Sequence, residues 1–212
     1  MRLYDYSASG NCYKVRLLLA LLGREYERVS VDIFAGETLT DAYARLNPAR
    51  ETPVLELDDG TLLLQSNAIL CYLGTGTSYV PPGALEQAQV IQWLLFEQEQ
   101  VMSGIGSARF WLLTGRGGDQ LAGRLERGRK ALEMLEAHLQ TNSHLVGSAC
   151  TVADIATYAY THVAADAGYD LGGFPAVSAW LDRIRQEPRY LNDLVPYPEN
   201  ARPGRGRSIY DR

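Results

Sequence analysis

Three short segments of the chain carry residues able to hold a small anionic ligand, and each stands where a helix or strand begins. In the first, Ser7-Ala8-Ser9-Gly10-Asn11 leads into Cys12-Tyr13-Lys14-Val15-Arg16. The unpaired N–H groups and positive dipole end of a starting helix favour a thiolate or carboxylate, and Ser9 and Asn11 add short hydrogen-bonding side chains. Taken alone, the segment is better explained by Ser9 or Asn11 simply capping the helix. The second segment is Asn47-Pro48-Ala49-Arg50-Glu51-Thr52-Pro53-Val54-Leu55. A proline at the mouth of a strand can carry a cis peptide bond, which would turn the Thr52 backbone outward toward a ligand's peptide; most X-Pro bonds are trans. The third is Gln65-Ser66-Asn67-Ala68-Ile69. There Ser66 offers a hydroxyl and a helix-terminal N–H to a carboxylate, and Gln65 can both donate and accept. A plain N-cap at Ser66 is the alternative.

The elements that must position these segments can be read from periodicity. Residues 3–6 read as a strand and 12–22 as a helix, because Val15, Leu18, Leu19 and Leu22 recur at helical spacing and Gly23 suits the stop. Residues 26–31 read as a strand and 39–46 as a short helix closed by Asn47-Pro48. Strands at 53–57 and 61–64 flank Asp58-Asp59-Gly60, a hairpin signal, and Ser66 is expected to cap a helix ending near Gly74. The order β-α-β-α-β-β-α implies a mixed sheet.

A Gly, Thr, Ser and Pro-rich stretch over 74–83 marks a linker. Beyond it the patterns are helical: 84–103, 120–139 with Gly123 and Gly128 interrupting a leucine stripe, a very apolar 151–165, and a helix through Val177, Trp180, Leu181 and Ile184 ended by Pro188. The Pro- and Gly-bearing tail from Pro196 reads as loop or disorder. The domains expected are 1–75, 84–195 and a tail, 196–212.

Composition narrows the function. A net charge of −5 gives no reason to expect nucleic acid as a partner. The early apolar run 17–22 is far too short for a bilayer that needs about 20 apolar residues, and no signal-peptide core precedes it. Cys12, Cys71 and Cys150 form no disulfide framework, and His138, His144 and His162 no metal-ligand pattern. A cytoplasmic protein with no metal and no membrane partner is expected.

Taken in order and spacing, the three segments resemble the glutathione-binding site of the glutathione transferase superfamily. The resemblance covers residues 1 to about 195. It includes the Thr52-Pro53 pair before the third strand and Gln65-Ser66 where relatives often have Glu-Ser. Gly147-Ser148-Ala149-Cys150-Thr151-Val152-Ala153-Asp154 looks like the family's capping element, and Phe174-Pro175-Ala176-Val177-Ser178-Ala179-Trp180-Leu181 like its penultimate helix. The resemblance implies an α/β thioredoxin-like N-terminal domain, an all-α C-terminal bundle, glutathione as co-substrate and a homodimer joined largely through the first helix of the second domain. It places Ser9 where serine-type members keep the hydroxyl that stabilises the glutathione thiolate. Asn11 resembles the assisting asparagine of a bacterial disulfide-reductase-like branch. Thr52, with Pro53, would hold the cysteinyl backbone, while Gln65 and Ser66 would take the γ-glutamyl end, Gln65 by a neutral hydrogen bond.

Three rivals for the thiol site are Tyr6, near the position of tyrosine-type members; Cys12, whose pKa a helix dipole could lower but which has no C-x-x-C partner; and Ser7, read as a strand-end hydrogen bonder. The expected activity is conjugation of the glutathione thiolate to a small electrophile bound against 101–114, with Arg109, Phe110 and Trp111 as candidates. Glutathione-dependent disulfide reduction is the alternative reaction. A non-catalytic protein-binding module of the same fold is the alternative role. Thr151 with Asp154 reads as a structural capping box.

Overall fold

A computed structural model describes residues 1–211; Arg212, the last residue of the tail, lies outside the described residues. Strands β1 (Arg2–Asp5), β2 (Glu27–Ser30), β3 (Val54–Glu56) and β4 (Leu62–Leu64) form one sheet in the order β2-β1-β3-β4. β1 runs parallel to β2 and antiparallel to β3, and β3 pairs antiparallel with β4 across the Asp59-Gly60 turn. Strand alternation sends Leu3, Leu55 and Leu63 to one face, packed with Leu18, Ile69 and Leu70 of helices α1 (Gly10–Leu22) and α3 (Ser66–Gly74). Tyr4, Val54, Leu62 and Leu64 face the other way, toward Tyr43 of α2 (Asp41–Leu46). This is the expected thioredoxin-like βαβαββα layer.

The stripe in α1 predicts one apolar face, yet ten of its thirteen residues are buried, Lys14 and Arg16 included. The reason is position: α1 lies between the first layer and helix α7 (Val152–Thr161), all of whose residues are buried. Arg16 pays for its place through Asp5 and Asp193, so a strand, a helix and the C-terminal stretch share one buried charge cluster.

The second half is helical. The helix expected over 84–103 runs further and changes pitch: α4 (Ala84–Phe96) passes into a π-helical stretch, Glu97–Gly106, and then α5 (Ser107–Thr114) without a break. Helices α6 (Leu121–Leu139), α7 and α8 (Pro175–Arg185) complete the bundle. The glycine that interrupts the α6 stripe marks a close crossing: a Cβ on Gly104 would stand 2.5 Å from the Gly128 backbone nitrogen. The apolar stretch 151–165 stops at Thr161 and ends in a 3-10 turn, Ala164–Ala167. No helix among the described residues is long and apolar enough to cross a membrane.

The tail is irregular, as its composition implies, but it is seated. Tyr6, Phe34 and Ala201 pack together, Arg207 pairs with Ala35, and Asn200 donates to Asp32 at 2.8 Å. Arg116, just beyond α5, donates to the carbonyls of Ala201 and Tyr210 and pairs with Asp211 at 2.8 Å.

Candidate functional site

Ser9, Asn11, Thr52, Pro53, Gln65 and Ser66 all line one cleft of about 490 Å3, within the ~300–1,000 Å3 span of small-molecule sites. The starts of α1 and α3 converge there, and their first turns, Gly10–Tyr13 and Ser66–Ile69, carry no carboxylate of their own. Both therefore present dipole and N–H groups to an outside anion.

Ser9 is the N-cap of α1, its Oγ accepting from the Cys12 N–H at 3.3 Å. An accepting hydroxyl keeps its own proton, so capping and donation to a ligand sulfur are compatible. Ser66 Oγ donates to Asn11 Oδ1 at 3.3 Å, which joins the first and third segments directly. The Thr52-Pro53 bond is cis. The expectation that Ser66 caps α3 is corrected: Gln65 holds the cap position and Ser66 is the first helical residue. Gln65 sits at φ 66° and ψ 114°, a conformation that costs a non-glycine residue about 1–3 kcal/mol. Its side chain makes no capping bond among the described residues, which leaves it free for the cleft.

The rivals fall into place. Cys12 has no exposed surface, its Sγ accepts from the Tyr6 N–H at 3.4 Å, and burial pushes its thiol up to about 11. Desolvation outweighs the helix dipole, so the lowered pKa that its position suggested is not found. Tyr6 is buried against Phe34, burial drives its phenol up, and its hydroxyl has no partner among the described residues. Ser7 Oγ accepts from Arg28 Nη2 at 2.9 Å, the structural role expected of it. Of the residues expected for a second substrate, Phe110 and Trp111 line the cleft, but Arg109 turns away to pair with Asp166 at 2.8 Å and lie over Tyr197.

Two sets of site residues escaped sequence reasoning. Tyr197, Ile209 and Tyr210 of the tail also line the cleft; only their apolar character in a polar tail signalled them. The other set lies beneath Ser66. Lys14 Nζ and Glu97 Oε2, both fully buried, pair at 2.8 Å, and Asn67 Nδ2 donates to the same Glu97 oxygen at 2.9 Å. Burial pushes the Lys14 ammonium down while Glu97 holds it up. A lysine inside the α1 leucine stripe was the available signal.

Comparison with known proteins finds matches over both halves of the chain. Residues 8–75 match the glutathione S-transferase N-terminal domain and residues 117–188 the glutathione S-transferase C-terminal domain. The chain is 30% identical to glutathione S-transferase D6 of Drosophila melanogaster, over 88% of this chain and 87% of that one. A possible glutathione S-transferase from Rhodopseudomonas palustris superposes with a TM-score of 0.87 at 44% identity, over 93% of this chain and 91% of that one. Elongation factor 1-gamma of Artemia salina is 28% identical, the match spanning 76% of this chain and 39% of that longer protein.

Proposed function

This chain belongs to the glutathione S-transferase superfamily, and from that membership we propose that it binds glutathione in the cleft and transfers its thiolate to a small electrophile. The observation that carries this reading is the convergence of Ser9, Asn11, Thr52, Pro53, Gln65 and Ser66 on one cleft. The α3 start takes the γ-glutamyl carboxylate, the Thr52 backbone the cysteinyl peptide, and the α1 start with Ser9 the sulfur. Thiolate is the nucleophile, so the site must favour it over thiol. The released proton goes to solvent; the sulfur then bonds to the electrophilic carbon as the leaving group departs with its electron pair. Phe110, Trp111, Tyr197 and Tyr210 give that electrophile an apolar seat. A protein scaffold alone would have no use for five ligand-facing polar positions in register.

Because Cys12 is sealed in the core, glutathione's own sulfur is the reacting thiol for an electrophile and for a disulfide alike. Turnover with a model aryl halide set against a model disulfide separates conjugation from reduction. The three cysteines are free, as suits a reducing cytoplasm.

Ser9→Ala tests the assignment of the sulfur site. A hydrogen bond to a charged acceptor is worth about 1.5–3 kcal/mol, or roughly one to two pKa units. Its loss is expected to raise the apparent pKa of bound glutathione by that amount and to slow turnover at neutral pH by roughly tenfold. Thiolate absorbance titrated against pH in both proteins reads it directly. Coincident curves would leave Ser9 a helix cap and nothing more.

Two copies are expected to pair through the outer faces of α3 and α4, where Tyr72, Leu85, Ile91 and Leu95 stand exposed. Light scattering should give twice the 23.5 kDa chain mass, and Leu95→Glu should shift it toward one chain. A wild-type mass of one chain at micromolar concentration would refute the pairing.

A further inference from the structure

Two buried charges, Lys14 and Glu97, lie beneath the cleft. Lys14 Nζ reaches Glu97 Oε2 at 2.8 Å, Asn67 Oδ1 at 3.3 Å and Ser66 Oγ at 3.4 Å. Gln98, which lines the cleft, also donates to Glu97 Oε2 at 2.9 Å. Neither charge has any exposed surface, and Glu97 Oε1 finds no partner among the described residues. A buried ion pair adds little to folding over apolar residues of the same shape, and an unmet carboxylate oxygen adds cost. The fold alone gives no reason for the pair.

The local backbone is shaped around it. Through the π-helical stretch two stripes run side by side at four-residue spacing: Glu97, Val101 and Ile105 buried, and Gln98, Met102 and Gly106 on the cleft. The widened i→i+5 winding, a feature common at functional sites, thus brings a carboxylate under the α3 start while its neighbour faces the ligand.

We infer that Lys14 and Glu97 are positioning residues for the carboxylate at the γ-glutamyl end of the ligand. The cationic end of the pair touches Ser66. Lys14 donates to Ser66 Oγ, and that hydroxyl's own proton goes to Asn11 Oδ1 over a long 3.3 Å contact. A carboxylate entering at the α3 start is a stronger acceptor than an amide oxygen, so the Ser66 proton turns to it. The chain then runs from ammonium to hydroxyl to carboxylate, each bond polarising the next. Glu97 opposes the burial that pushes the Lys14 ammonium down, and Asn67 holds the carboxylate in place.

This rests on the glutathione reading, and calorimetry keeps the two separable. The protein variant is Lys14→Met with Glu97→Gln, which removes both charges and leaves neither unpaired. The ligands are glutathione and its analogue with 4-aminobutyryl in place of γ-glutamyl, which lacks only the carboxylate of the α-amino acid head and keeps its amine, together with an analogue in which that carboxylate is an amide. The variant is expected to bind glutathione about tenfold more weakly, to bind both analogues as wild type does, and to leave the pKa of the bound thiol unchanged. Wild-type affinity for glutathione in the variant, or equal losses for all three ligands, would overturn the inference and leave the glutathione reading standing. Absence of glutathione binding to the wild type would remove both. If the Met–Gln pair does not fold, Lys14→Gln with Glu97→Gln retains hydrogen bonds on both sides and carries the same expected result; failure of that protein to fold would show the pair to be structural.

Discussion

Asp154→Ala is expected to lower the stability of the chain by about 3–5 kcal/mol, a large part of the ~5–15 kcal/mol that holds a typical domain. The carboxylate has no exposed surface and accepts from the Leu145 and Thr151 N–H groups at 2.9 Å, from Thr151 Oγ1 at 3.0 Å and from Trp180 Nε1 at 2.9 Å. Alanine would strand those donors in the core, and each unmet buried donor costs about 1–3 kcal/mol. Through these bonds one side chain fixes the start of α7, the loop before it and the indole of α8. Helix α7 in turn packs on α1, so the effect reaches the helix that presents Ser9. Thr151→Ala, which removes only the capping hydroxyl, should cost about 1 kcal/mol. Denaturant melts of the two variants check the ranking; equal midpoints would reduce Asp154 to an ordinary cap.

The capping box was legible because Thr151-x-x-Asp154 before an apolar run has one local explanation, but the reach of Asp154 to Trp180 was not, since 26 residues separate them. The same division holds across the molecule. Asp58-Asp59-Gly60 between two apolar runs gave away the β3–β4 hairpin, and Val15, Leu18, Leu19 and Leu22 the first helix. Burial of Lys14 and Arg16 in that helix could not be foreseen from its period, because it is set by a second layer formed from residues 140 positions later. The ligand role of Ser9, Asn11, Gln65 and Ser66 came from the family resemblance; from the residues alone they announced themselves only as helix starts, which a plain cap explains. The cap at Gln65 did not, since glutamine at positive φ contradicts local preference and is held by its surroundings. The π-helical winding from Glu97 was equally hidden: its composition is that of an ordinary helix, and the close Gly104–Gly128 crossing appears only once α6 is in place. Tyr197 and Tyr210 lie in a stretch with no period at all, so their place on the cleft comes wholly from tertiary anchors such as Arg116.

Changing Gln65 and Ser66 together to alanine is expected to weaken glutathione binding about a hundredfold while the fold is retained. The carboxylate loses a hydroxyl donor, worth about 1.5–3 kcal/mol when the acceptor is charged, and the amine loses a neutral acceptor, worth about 0.5–1.5 kcal/mol. The sum, about 2–4.5 kcal/mol, includes the ~2.7 kcal/mol that makes a hundredfold in affinity. The first-turn N–H groups of α3 remain, which keeps the loss from being larger. Stability should change little, because among the described residues the Gln65 side chain makes no capping bond and the Ser66 hydroxyl has only the long contacts to Asn11 and Lys14. Alanine also leaves the backbone at position 65 in its positive-φ state, so the helix start keeps its direction. The glutamyl end is held alike in ground and transition states, so the Michaelis constant should rise while turnover at saturating glutathione stays within about twofold of wild type. Calorimetry and saturation kinetics on the double variant measure both. A fall in saturated turnover with unchanged affinity would move these residues from the glutamyl end to the sulfur, and unchanged values of both would remove the α3 start from the ligand site.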